Sequence, residues 1–163
     1  MTDTTAQTVT AGRPTEPEPH RLDVAHINGD AYEVDIRGHR ILVDQPLDAG
    51  GTDTAPTPVE LFAASLATCV AFYAGRHLRR HGLPRRGLRV RTEFTMASER
   101  PARVATVRLV IIPPPALSAQ RHAALLAVAS HCTIHNSLRT PPEIDIRLSP
   151  CGAVPNGPTA DAS

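Results

Sequence analysis

The 163-residue sequence contains no lysine: its 17 basic residues are all arginine, against 16 acidic residues, for a net charge of +1. This absence excludes a lysine Schiff base, a pyridoxal-phosphate anchor and a phosphate-cradling GK[ST] loop. Tryptophan is also missing, and only Tyr32, Phe62, Phe72, Tyr73 and Phe94 are aromatic. Too few rings remain to build base-stacking platforms, and the near-neutral charge speaks against a nucleic-acid partner. No run reaches the ~18 consecutive apolar residues of a membrane span. Val59 to Gly75 comes nearest, and Glu60 and several small residues interrupt it. No membrane association is expected. The first twenty residues have neither a basic start nor an apolar stretch, so no secretory leader is expected and the cytoplasm is the expected location.

What is present is an ordinary globular composition, 41% hydrophobic and rich in aliphatic side chains. Residues 1–19, with Pro14, Pro17 and Pro19, are expected to form a disordered N-terminal tail. Residues 150–163 are expected to form a disordered C-terminal tail, leaving one folded domain at 20–149. That domain opens with three strand signals, Arg21–Ile27, Ala31–Arg37 and Arg40–Asp44, separated by turns at Asn28-Gly29 and Arg37-Gly38-His39. A loop of turn formers runs from Asp44 to Pro56. Thr57-Pro58-Val59-Glu60 then reads as a capping box with proline at the first helical position. It starts a helix from Pro58 to about Arg80, apolar almost all round between Leu61 and Ala74 and therefore central. Two strands follow, Gly87–Ala97 and Arg103–Ile112. Ser118 is expected to cap a second helix, Ala119 to about His131, with Leu125, Leu126 and Val128 inward. A last strand spans Glu143–Leu148. The order βββ-α-ββ-α-β is an α+β pattern with mainly antiparallel sheets.

Three cysteines in a reducing compartment do not make a disulfide scaffold; they are buried, metal-binding or redox-active. Cys69 lies mid-helix and shares a face with Phe62, Ser65, Leu66, Phe72, Tyr73 and Arg76. Burial as a small hydrophobe is the ordinary fate of such a residue. Cys132 falls at the end of the second helix, where the carbonyl end disfavours a thiolate unless a new helix begins just after it. Cys151 lies in the C-terminal tail. His131, Cys132 and His135, with Cys69, are a possible metal set, although adjacent His131 and Cys132 would point apart on a helix. The segment Arg76–Arg91 holds seven arginines with His77 and His81. It reads either as a solvated helix end complementing the dipole or as a patch for an anionic partner.

Three blocks resemble the OsmC/Ohr family of thiol-dependent peroxidases. They are Asp44-Gln45-Pro46 with Gly50-Gly51, the run from Pro56 to Cys69, and His131-Cys132 through Asn136-Ser137-Leu138 with the Ile144–Leu148 strand. The resemblance covers about Arg21 to Leu148. It implies an intertwined homodimer with sheets wrapped around two central helices and active sites at the subunit interface. It further implies that Cys69 attacks a hydroperoxide to give a sulfenic acid and that Cys132 resolves it as a Cys69–Cys132 disulfide. A dithiol of lipoyl or thioredoxin type would then reduce the disulfide, with no bound cofactor or metal.

The pattern departs from the family at two places, the glutamate and its partner arginine. Members of the organic-hydroperoxide type carry a glutamate ten residues before the attacking cysteine, paired with an arginine of the early hairpin. Here Val59 holds that position, and Glu60 lies about 180° from Cys69 on a straight helix. Arg37 and Arg40 are the nearest candidates for a thiolate-activating cation. The alternatives that remain are a non-enzymatic small-molecule-binding or redox-sensing member, and a Cys/His metal site.

Overall fold

The computed structural model describes residues 18–115 and 117–150. The tails expected at 1–19 and 150–163, and Cys151, lie almost wholly outside these residues. The chain divides at Glu60 into two units.

The first unit is an antiparallel meander of β1 (Asp23–Asn28), β2 (Ala31–Ile36) and β3 (His39–Val43). Both turns expected from the sequence form. In the second, Arg37 (φ 56°) and Gly38 (φ 81°) are both left-handed, which matches the twist of the flanking strands. The Gly38 amide donates to the Asp35 carboxylate at 3.0 Å. The β1–β2 register pairs Val24 with Val34 and His26 with Tyr32, whose rings meet edge-on at 5.4 Å.

The loop after β3 is organised by one buried carboxylate. Asp44, 1% exposed, accepts hydrogen bonds from the amides of Gln45 (2.7 Å), Thr52 (3.1 Å) and Thr54 (3.1 Å). It also accepts from the hydroxyls of Thr52 (2.7 Å) and Thr54 (2.9 Å). These donors hold its carboxyl far below the usual carboxylate range, outweighing the opposing effect of burial. Curling the loop back onto Asp44 brings Gly51 against Gln45, where a Cβ would stand 2.0 Å from the Gln45 carbonyl oxygen. Only glycine fits there. The Asp44-Gln45-Pro46 and Gly50-Gly51 block is thus one structure, a carboxylate hub and the close approach it requires.

The capping box forms as read: the Thr57 amide donates to Glu60 at 2.7 Å, and the Glu60 amide donates to the Thr57 hydroxyl at 3.1 Å. It starts α1 (Pro58–Arg80) at the expected residue. By length and hydropathy this 23-residue helix could cross a bilayer. Its inner stripe, Leu66, Val70, Ala74 and Leu78, instead enters the core of the second unit.

That unit pairs β4 (Arg89–Met96) with β5 (Val104–Ile112) in an antiparallel hairpin. Cross-strand partners Val90–Ile111, Thr92–Leu109 and Phe94–Val107 share one face, and Val90, Val107, Leu109 and Ile111 pack against the core.

Three expectations need correction here. The second helix is broken: a 3-10 turn (Ala119–Arg121), α2 (His122–Ala129) and α3 (Thr133–Arg139) replace one helix. Ser118 makes no side-chain cap, and the Ser130 hydroxyl bonds back to the Leu126 carbonyl at 2.8 Å where α2 ends. The inner side of α2 is Leu125 and Ala129, one turn apart, whereas Leu126 is 59% exposed. Finally, Glu143–Leu148 forms no strand, since among the described residues it has no strand to pair with. Its alternating Ile144, Ile146 and Leu148 are left exposed.

Replacing Asp44 by asparagine removes the charge on which five donors converge. D44N is expected to lower the thermal midpoint at pH 7 by roughly 5 °C or more. Because the folded-state pKa is depressed, the carboxylate stabilises the fold above about pH 4, and that contribution is lost as pH falls further. The gap between wild type and D44N should therefore narrow below pH 4 in a series of thermal melts.

Candidate functional site

Cys69 stands in the middle of α1, one residue before the inward-facing Val70 and three after Leu66. The stripe turns Cys69 toward the edge of the core, where it is half-buried and packs against the buried cluster. Cys132 is fully buried in that cluster. The break after α2 gives it extended backbone (φ −70°, ψ 154°) and makes it the N-cap residue of α3, not the last residue of a preceding helix. The electrostatic objection to a helix C-terminus therefore does not apply to it.

The two thiols are neighbours. Cys69 packs against the buried cluster that includes Cys132, and neither forms a disulfide. Burial, the largest effect, pushes the Cys132 thiol above its ordinary pKa, and Cys69 beside it adds to the rise. The amides of Ile134 and His135 in the first turn of α3 pull the other way. The result is a protonated thiol in a dry environment, held against a half-exposed partner.

A second contact locks the same juxtaposition. The Tyr73 hydroxyl, one turn after Cys69, meets the Thr133 hydroxyl, one residue after Cys132, at 2.9 Å. Tyr73 was visible in the sequence only as a member of the Cys69 face. Its partner 60 residues away could not be read from spacing. His135 donates its Nδ1 proton to the Ser130 carbonyl, which bridges the gap between α2 and α3.

The core that includes Cys132 also borders a cavity of about 360 Å³, which neither cysteine lines. Leu66 and Val70 of α1, Val107 and Leu109 of β5, Leu126 and His135 are among its walls.

The other sequence candidates separate. Among the described residues no three His, Cys, Asp or Glu side chains converge as a metal site requires. Cys132 is buried, whereas His131 is exposed and lines a different cavity with His77 and His81. Arg37 lies in the β2–β3 turn and Arg40 on β3, paired with Glu33 at 3.6 Å. Both belong to the first unit and Cys69 to the second. Glu60 is occupied by the capping box, as its spacing from Cys69 suggested.

The described fold has close relatives in shape. A model of the OsmC-like protein family matches residues 51–147, more than half of the chain. Similar solved structures include a Psychrobacter arcticus protein called an osmotic stress induced and detoxification response protein. It is 22% identical with a TM-score of 0.68, over 76% of this chain and 90% of that one. An organic hydroperoxide resistance protein OsmC from Legionella pneumophila is 18% identical with a TM-score of 0.60, over 77% and 92% of the two chains. A Vibrio cholerae protein named for organic hydroperoxide resistance, with captopril in one of its active sites, is 20% identical with a TM-score of 0.57, over 77% and 88%. No match was found among curated proteins. By its family-model match and its fold, the chain belongs to the OsmC-like protein family.

Proposed function

We propose that the protein is a thiol-dependent peroxidase that reduces organic hydroperoxides through Cys69 and Cys132. One observation carries this reading: a half-exposed thiol and a buried, protonated thiol are held side by side by separate elements. The relatives named for hydroperoxide resistance and detoxification support the same class of chemistry.

The division of labour follows from exposure. Cys69, reachable from solvent, attacks the distal oxygen of ROOH as the thiolate. The O–O bond breaks, ROH leaves after taking a proton, and Cys69 becomes a sulfenic acid. The Cys132 sulfur then attacks the Cys69 sulfur, the hydroxyl leaves as water with the Cys132 proton, and a disulfide forms. An external dithiol, of lipoyl or thioredoxin type, reduces the disulfide by two exchange steps and is itself oxidised. A raised pKa keeps Cys132 protonated and inert toward peroxide until its partner is oxidised. The apolar cavity suits the organic part of the substrate.

Arg37 and Arg40 are the candidates for activating Cys69, as the family resemblance implies. An arginine keeps its charge at every working pH and can orient a peroxide or carboxylate through two N–H bonds. A homodimer would also cover apolar side chains that one chain leaves bare, including Leu22, Val24, Leu42, Phe72 and Ile146. The cytoplasm, with its dithiol reductants, is the setting this chemistry needs. A non-enzymatic binding or sensing role is the second reading, favoured by Val59 at the position of the family's glutamate.

Treating the reduced protein with equimolar cumene hydroperoxide and mapping its thiols by mass spectrometry tests the proposal. A rapid Cys69–Cys132 disulfide is expected, and inert thiols would overturn it. Oxidation that no dithiol reverses with turnover would select the sensing role. Cys69→Ser should abolish peroxide consumption. Cys132→Ser should complete one turnover and leave a sulfenic acid that dimedone traps.

Iodoacetamide at pH 7 should label Cys69 well before Cys132 in the folded protein. Because the native state keeps the Cys132 proton where the unfolded chain has released it, stability should fall as pH rises above about 8.5. Thermal melts of Cys132→Ala across that range should lack this part of the decline.

A further inference from the structure

The segment that carries Cys132 is tied down mostly by itself. The Ser130 hydroxyl donates to the Leu126 carbonyl at 2.8 Å, the Asn136 side-chain amide to the His131 carbonyl at 3.3 Å, and the Ser137 hydroxyl to the Thr133 carbonyl at 3.1 Å. His135 adds its bond to the Ser130 carbonyl. Each of these joins residues four or five apart, so together they shape the break between α2 and α3 without placing it on α1. The Tyr73–Thr133 bond is of another kind. Its 2.9 Å contact spans 60 residues and runs from α1 to the first residue of α3.

Both ends of that bond adjoin a thiol. Tyr73 comes one turn after Cys69 on the same helix face, and Thr133 directly follows Cys132. Tyr73 and Cys69 pack against the buried cluster, and Thr133 stands at its exposed rim. Apolar packing draws Cys132 inward but is non-directional. A hydrogen bond fixes both distance and angle. Disulfide formation tolerates little error, since the two Cβ atoms must come to about 3.5–4.5 Å. Cys132 has extended backbone where the chain passes from one helix to the next, so the position of its sulfur follows the point at which α3 is pinned.

We propose that Tyr73 and Thr133 form a positioning clasp for the second step of the thiol chemistry, the attack of Cys132 on oxidised Cys69. The clasp rests on the peroxidase reading and deepens it. Attack of Cys69 on ROOH does not use Cys132 and is indifferent to the clasp. The second step needs both sulfurs in register, and a misplacement of about 1 Å can cost on the order of a hundredfold in rate. With the clasp open, the Cys69 sulfenic acid persists until it meets a second ROOH, which transfers one oxygen to give sulfinic acid and ROH. The clasp thereby sets the partition between reversible and irreversible oxidation.

Y73F and T133V each remove one hydroxyl at nearly constant shape. In rapid-mixing single turnovers with equimolar cumene hydroperoxide, both variants should consume peroxide at the wild-type rate. Their disulfide should form about tenfold more slowly, and excess peroxide should leave more Cys69 sulfinic acid by intact mass. T133S keeps the hydroxyl and should match wild type, and Y73F/T133V should be no slower than either single variant. S137A removes an α3 hydroxyl that does not reach α1 and should also match wild type. Disulfide formation at the wild-type rate in Y73F and T133V, equal slowing of both steps, or a T133S as slow as T133V would overturn the proposal.

Oxidised glutathione makes the test independent of peroxide. Cys69 takes up one glutathione as a mixed disulfide and releases the other as a thiol, and Cys132 then displaces the bound one. Y73F and T133V should accumulate the mixed disulfide. If cumene hydroperoxide leaves the wild-type thiols inert while this accumulation appears, the peroxidase reading falls and the clasp stands. If wild type forms no disulfide with either oxidant, both fall.

Discussion

Burial of one stripe of α1 is the constraint on which the second unit depends. Leu66, Val70, Ala74 and Leu78 recur at helical spacing, and Ala74 and Leu78 are completely shielded from solvent. With so few aromatic residues, the core relies on many aliphatic contacts, each large aliphatic side chain contributing about 1.5–3 kcal/mol when buried. The stripe needs covering surfaces, and the β4–β5 hairpin, α2 and the start of α3 supply them. Cys132 belongs to that covering layer and Cys69 borders the stripe. The same packing that stabilises the unit therefore sets the two thiols side by side.

The first unit rests on different physics. Its strands bury little, and its loop is held by the Asp44 carboxylate and the amides and hydroxyls that point at it. A charge-assisted hub can specify a loop where there is too little apolar surface to do so. The apolar side chains that β1 to β3 leave in water are the complement of this economy.

Much of the architecture was legible in local chemistry. The capping box placed the start of α1 at Pro58 because Thr57 and Glu60 satisfy each other's amides without help from the rest of the chain. The turns at Gly29 and Arg37-Gly38 were legible because left-handed backbone calls for particular residues. The break between α2 and α3 was not legible. Residues 130–132 include no glycine or proline, and it is the burial of Cys132, together with the Ser130 and His135 bonds, that accompanies the new start. The alternation of Ile144, Ile146 and Leu148 read as a strand, but alternation supplies only a suitable face. A strand also needs a partner, and among the described residues none pairs with it.

The sequence by itself determined that lysine chemistry is closed to this protein, that any permanent cation must be arginine, and that α1 is a central helix carrying Cys69. These follow from residue identity and from interactions a few positions apart. Tertiary structure alone decided that Cys132 stands at the N-cap of a new helix, in the core cluster against which Cys69 packs, that Tyr73 bonds to Thr133, and that Arg85 and Arg86 join Arg76 and Arg79 around one cavity. Each of these depends on long-range packing, which brings together side chains whose spacing along the chain contains no trace of their meeting.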